Sequence, residues 1–129
     1  MKKALLFAVA IICLASCTKD GIVSPGFFGK YELRASYGGL TGFSETYEPG
    51  NGNVFQFNSD STYVHYSGSK SQDSGKFRIK ITGTEGDAKF GTISLTDLDY
   101  QQAFRIKGDT ITIGTTITDG IASDFVKIN

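Results

Sequence analysis

The chain has 129 residues, with 13 basic and 13 acidic side chains, one histidine and no tryptophan. This length suits one domain around one hydrophobic core. Balanced charge gives no basic face of the kind that nucleic-acid binding needs, so that class of function is excluded.

The first seventeen residues carry the clearest motif. Lys2-Lys3 precede an apolar run, Ala4 to Ile12, that is too short to span a bilayer, and small residues follow it. This is the pattern of a secretory signal peptide. Leu14-Ala15-Ser16-Cys17 resembles the bacterial lipobox, in which the signal is cut before a cysteine that then carries lipid. The resemblance implies cleavage between Ser16 and Cys17. The alternative is an ordinary apolar segment with a chance match.

Cleavage there defines the expected organisation of the chain. Removing residues 1–16 leaves 113 residues with 11 basic and 13 acidic side chains. Cys13 leaves with the signal and Cys17 carries acyl chains such as palmitate, so no disulfide or cysteine metal site remains. Each buried acyl CH₂ contributes about 0.8 kcal/mol, so several chains anchor the protein durably. We expect a signal peptide over residues 1–16, a lipidated tether over 17–27 and a folded domain over 28–129.

After the tether, apolar and polar residues alternate and turn residues recur, with no long helical periodicity. The pattern predicts eight strands: Gly29–Tyr37, Asn53–Asn58, Thr62–Ser67, Gly75–Ile81, Gly91–Leu95, Gln101–Lys107, Thr110–Ile113 and Ser123–Ile128. Short turns between successive strands favour an antiparallel meander. An all-β, eight-stranded up-and-down barrel removes exposed sheet edges.

One connection is long for such a barrel. Residues 38–52 contain Leu40, Phe43 and Tyr47 among glycines and polar residues. Long loops in compact domains are often functional. This loop is expected either to cover the barrel mouth as a lid or to pack its apolar side chains against the barrel end.

Several segments resemble, in order and spacing, the small lipocalin-like lipoproteins of Gram-negative envelopes. They are Phe28-Gly29-Lys30-Tyr31-Glu32-Leu33, Tyr47-Glu48-Pro49-Gly50-Asn51-Gly52-Asn53, Phe55-Gln56-Phe57-Asn58-Ser59-Asp60-Ser61-Thr62-Tyr63, Ser74-Gly75-Lys76-Phe77 and Gly108-Asp109-Thr110-Ile111-Thr112-Ile113. The resemblance implies a lipocalin-like barrel of a Gram-negative envelope. We expect its lipid anchor in the outer membrane, with the inner membrane as the alternative. Lipocalins have Gly-X-Trp on the first strand, where this chain has Gly29-Lys30-Tyr31. By the same resemblance, Lys127 is expected to cover Tyr31.

The turn Asn58–Ser61 predicts how the second and third predicted strands pair. A type I turn followed by Ser61 in the left-handed region sets Phe57 opposite Tyr63 and Phe55 opposite His65. Tyr63 and His65 then point inward, where they orient a bound polar group. A slip of one residue buries Val64 and Tyr66 instead. The alternative for His65 is a packing or exposed role.

The predicted inward aromatic side chains are Tyr31, Tyr37, Phe55, Phe57, Tyr63, Phe77 and Phe104. The residues predicted to bind a ligand are Tyr31, Phe55, Phe57, Tyr63, His65, Phe77 and Phe104. Side chains can also fill a barrel of this size completely. Two functions therefore stay open: non-catalytic binding of a small apolar or amphipathic ligand, and a protein-interaction or inhibitor module with a filled barrel.

The sequence predicts no catalytic chemistry. No nucleophile-elbow motif, no folded cysteine and only one histidine are present, so no nucleophile–base set is expected. We expect no enzyme activity, no cofactor and no metal site. We expect a monomer whose partner is the membrane, through the lipid on Cys17.

Overall fold

The computed structural model describes residues 25–68, 70–96 and 100–129. Ser16 and Cys17 lie outside the described residues. Nine strands follow a short 3₁₀ turn at Pro25–Phe27, and another lies at Ile117–Asp119. The strands are β1 Gly29–Gly38, β2 Phe43–Thr46, β3 Val54–Phe57, β4 Thr62–Ser67, β5 Lys70–Glu85, β6 Ala88–Leu95, β7 Gln101–Lys107, β8 Thr110–Gly114 and β9 Ile121–Lys127.

Eight of these strands close into the predicted all-β antiparallel barrel. β1 pairs with β3, the meander runs in order from β3 to β9, and β9 pairs back onto β1. The closing register runs from Tyr31 opposite Lys127 to Gly38 opposite Ile121. Among the described residues, no helix is long and apolar enough to cross a membrane.

A single aromatic cluster fills the barrel at the end where β1 begins. Phe27 is 2% exposed, and its ring lies 5.1 to 6.3 Å from the rings of Tyr31, Phe57, Phe77 and Phe104. The Tyr31 hydroxyl donates to the Phe27 carbonyl over 2.6 Å. We call this the plug end. The barrel core thus begins at Phe27, inside the segment predicted as tether.

The chain termini of the barrel meet beside this plug. Lys127 lies opposite Tyr31 in the β1–β9 pairing, and its ammonium group donates to the Gly26 carbonyl. Gly29 has φ of +141°, and a Cβ there would lie 2.2 Å from the Asn129 carbonyl oxygen. This close approach requires glycine at the first position of Gly29-Lys30-Tyr31.

The long connection forms no lid, and of its apolar side chains only Tyr47 packs against the core as the second prediction expects. Instead of a lid, it contains β2, which pairs with the second half of β1 from Ala35–Thr46 to Gly38–Phe43. β3 pairs with the first half of β1, so both strands share one edge. Leu40 stays 85% exposed, while Tyr47 packs against the core. The sequence pattern did not predict β2, because all four of its residues are exposed and apolar and polar side chains do not alternate along it.

The hairpin of β5 and β6 is also longer than predicted. The two strands pair from Phe77–Leu95 to Glu85–Ala88, so the expected loop over residues 82–90 is a tight turn at Gly86-Asp87. Most of the added β5 residues are exposed. Their polar sequence resembles a loop, although backbone pairing makes them a strand.

A β-bulge in β1 changes which side chains of this strand point into the barrel after Leu33. The pairing with β9 shifts between Leu33 and Ala35. The extra residue reverses the alternation, so Ser36 is buried inside and Ala35 and Tyr37 face outward. The prediction that Tyr37 points inward was therefore wrong.

Glu32 fastens the second half of the long connection to β1. This side chain is 5% exposed and accepts hydrogen bonds from Gly50 N at 2.9 Å, Gly52 N at 3.2 Å and the Arg34 guanidinium at 2.5 Å. Burial alone would raise the pKa of Glu32, but these bonds together hold it below its ordinary value. Asn51 adds a bond to the Leu33 carbonyl over 2.9 Å. These contacts hold residues 48–53, which connect β2 to β3, against β1.

Candidate functional site

The β3–β4 hairpin has the predicted register. Ser61 has φ of 70°, and Phe57 and Phe55 lie opposite Tyr63 and His65. Tyr63 is 1% exposed, so the face carrying Phe55, Phe57 and Tyr63 is the inner one. The predicted inward direction of Tyr63 and His65 is confirmed.

His65 lies at the end of the barrel away from the plug, where its ring is partly buried. It stacks on Phe55 with centroids 4.3 Å apart, and its Nε2 lies 3.1 Å from Asn53 Oδ1. An amide oxygen only accepts, so this geometry places a proton on Nε2. Burial lowers the pKa of His65, and the nearby charge of Asp73 opposes that change. The imidazole is thus a polar group at the edge of an apolar interior.

A second polar group lies beside it. The Tyr63 hydroxyl donates to Asp73 Oδ2 over 2.7 Å and lies within hydrogen-bond distance of Thr96 Oγ1. Burial and Asp73 raise the pKa of Tyr63, while the Thr96 bond opposes them. Thr96 has φ of 55°, a strained conformation for a β-branched residue. Such strain persists only where neighbouring contacts hold it.

Apolar side chains form a floor between these groups and the plug. Leu33, Phe55 and Phe125 are 5 to 9% exposed, and the Phe55 and Phe125 rings are 5.2 Å apart. On the far side of this floor, Ser36 and Ser123 share a hydrogen bond of 2.8 Å. We call this region the mouth site: the apolar floor, with Asn53, Tyr63, His65, Asp73 and Thr96 on one side and Ser36 and Ser123 on the other.

The structure divides the predicted ligand-binding residues into two groups. Phe55, Tyr63 and His65 belong to the mouth site. The other four, Tyr31, Phe57, Phe77 and Phe104, pack against Phe27 in the plug. Their side chains contact one another and fill that end of the barrel.

Sequence reasoning missed Asn53, Asp73 and Thr96. Each lies at or beyond the end of a predicted strand, where alternation no longer indicates direction. Asp73 is placed opposite His65 only because β5 begins at Lys70, with a shift in register beside it. Only for Asn53 did the sequence indicate a direction. It begins a predicted strand and lies two residues before Phe55, so it shares the inward face.

Comparison with known proteins identifies no relative: no family model, no curated protein and no solved structure matches the chain. Across residues 25–68, 70–96 and 100–129, no three His, Asp or Glu side chains come together as metal ligands. The chemistry of the mouth site is therefore derived from its own residues.

Replacing Asp73 by asparagine should lower the pKa of His65 further, because the charge that opposes burial is removed. Protonating His65 costs more in the folded state than in the unfolded state, so wild-type stability should fall as pH drops below about 6.5. The fall should continue to the folded pKa of His65. The single histidine makes its imidazole proton resonances easy to follow by NMR. Asp60→Asn, in the exposed β3–β4 turn, is the matched control. An unchanged or raised pKa in Asp73→Asn would contradict this electrostatic description.

Proposed function

We propose that this chain is a lipid-anchored envelope protein that binds a small amphipathic molecule at the mouth of its barrel, without catalysis. The carrying observation is the polar pair His65–Asn53 at the partly exposed edge of an apolar interior. Ligand sites commonly combine an apolar lining with a few polar groups that fix orientation. The mouth site has both.

The packed plug supports a small ligand. Phe27, Phe57 and Phe104 are each 1 to 2% exposed. An inserted group therefore meets the floor of Leu33, Phe55 and Phe125 and goes no deeper. We therefore expect a ligand no larger than a short acyl chain or one ring, with its polar end beside His65.

The anchor rests on the lipobox-like residues before Cys17 and on where the barrel begins. The chain enters at the plug end through Phe27. Seven residues separate Cys17 from Pro25, a reach of about 29 Å at most. In the proposed arrangement the plug end faces the membrane and the mouth faces away from it. The lipocalin-like family assignment belongs to the same proposal and is supported by the barrel and by Lys127 opposite Tyr31.

Cys17→Ser should release the protein from the membrane fraction. Expressed in a Gram-negative host, the wild-type chain should partition into detergent and carry the mass of covalent acyl chains on Cys17. The variant should show neither property, because its side chain cannot form the thioether. Cys13→Ser changes a cysteine that cleavage removes, so it should behave as wild type. Acylated Cys17→Ser protein, or unmodified wild type, would contradict the anchor.

Blocking the mouth should abolish ligand binding. Ser123→Tyr places a ring over the floor, whereas Ser74→Tyr adds the same ring at an exposed position of β5. In native mass spectrometry of the full chain with decanoic acid as the probe, wild type and Ser74→Tyr should carry a bound molecule. Ser123→Tyr should lose at least about tenfold in affinity, or about 1.4 kcal/mol. Circular dichroism serves to check that both variants fold.

If the wild type and both variants show only the mass of the protein without decanoic acid, binding at the mouth is contradicted. That result would favour the second candidate, a protein-interaction module. One observation supports that candidate. Leu40, Phe43, Ile117 and Ile121 are 85, 37, 75 and 52% exposed around the far end of β1. Exposed apolar side chains that cluster in this way are typical of interaction surfaces.

A further inference from the structure

A second site lies on the outer wall of the barrel, separate from the mouth. Outward side chains of β1, β7, β8 and β9 surround a cleft of about 270 Å³, lined by Tyr37, Arg105, Lys107, Thr110, Thr112 and Asp124. The bulge in β1 creates it, because the reversed alternation turns Tyr37 outward. Neither the anchor nor the mouth site uses these residues.

Asp124 is held in position at the centre of the cleft. Its Oδ1 accepts from the Tyr37 hydroxyl at 3.1 Å and from Thr112 Oγ1 at 2.7 Å. No described residue donates to Oδ2. A carboxylate with one oxygen fixed and the other unused is prepared to accept hydrogen bonds from a ligand. Burial, with Asp124 beside it, raises the pKa of Tyr37, so the hydroxyl remains protonated at neutral pH.

Two cations complete the cleft. Arg105 lies opposite Thr112 and Lys107 opposite Thr110 in the β7–β8 pair. Lys107 Nζ reaches Asp87 at 4.0 Å, and both side chains are more than half exposed. Within the described part of the chain, Arg105 forms no ion pair. Its guanidinium therefore offers several N–H donors on the opposite side from the Asp124 acceptor.

The charges indicate which ligand fits. An anion is attracted by Arg105 but meets the Asp124 carboxylate, and a cation meets Arg105 and Lys107. A neutral molecule with several hydroxyl groups satisfies both sides, because each hydroxyl both donates and accepts. The cleft is slightly smaller than the roughly 300–1,000 Å³ of drug-sized sites, so it holds about one ring.

We propose that this outer cleft binds a single uncharged sugar ring, with Asp124 Oδ2 accepting from ring hydroxyls and Arg105 donating to them. The sugar is either free or the terminal residue of a glycan, which present the same hydroxyls. The proposal goes beyond the function at the mouth and is independent of it.

Saturation-transfer NMR tests this with the full chain in a sugar-free detergent. The probes are the methyl glycosides of glucose, galactose and N-acetylglucosamine, and a disaccharide of the bound sugar. We expect one glycoside to bind with a Kd on the order of 1 mM. Asp124→Asn, which keeps the side-chain size, and Arg105→Ala should each weaken it at least tenfold. Arg78→Ala, on the exposed face of β5, should not.

Five other results have defined meanings. Ser123→Tyr, which blocks the mouth, should leave sugar binding unchanged, and a loss there would overturn the separate location. Equal binding of the disaccharide indicates a glycan end, and exclusion of the disaccharide indicates a free sugar; both support the proposal. Binding of none of the glycosides overturns it. Displacement of the sugar by inorganic phosphate also overturns it, since the cleft is then an anion site.

Discussion

The packing of Phe27 is the contact on which the rest of the barrel depends. One ring meets Tyr31 of β1, Phe57 of β3, Phe77 of β5 and Phe104 of β7, so it joins four of the eight barrel strands. Full burial of such a side chain contributes about 1.5–3 kcal/mol. The hydrogen bond from Tyr31 fixes the Phe27 backbone over that cluster. Because the interior is filled at this end, the two proposed sites lie at the mouth and on the outer wall.

Much of the fold was predictable because each of the eight barrel strands has a face that is largely buried. The boundaries of β4 and β7 match the prediction, since turn residues delimit both strands. Strand pairing without burial was not predictable, which is why β2 and the ends of β5 were missed. The bulge after Leu33 was also hidden, because alternation in the sequence continues through it while the backbone does not. That single residue moved Tyr37 from the interior to the outer wall.

In the candidate sites too, the strand patterns predicted some residues and missed others. Tyr63 and His65 were predicted to point inward from the turn at Ser61, whose φ is 70°. Their partners are Asp73 on β5 and Thr96 just after β6, which the pairing of β4, β5 and β6 brings together. The outer cleft depends on four adjacent strands and a bulge, so no local pattern indicated it. In both sites the sequence identified side chains on well-patterned strands, and the fold supplied the groups that orient them.

The most direct test of this account is the free energy of unfolding of Phe27→Ala, measured with denaturant. Removing a fully buried ring should cost about 3–5 kcal/mol. Phe43→Ala removes the same ring from β2, where it is 37% exposed, and should cost less than about 1 kcal/mol. A loss below about 1 kcal/mol for Phe27→Ala would contradict the claim that this plug holds the barrel together.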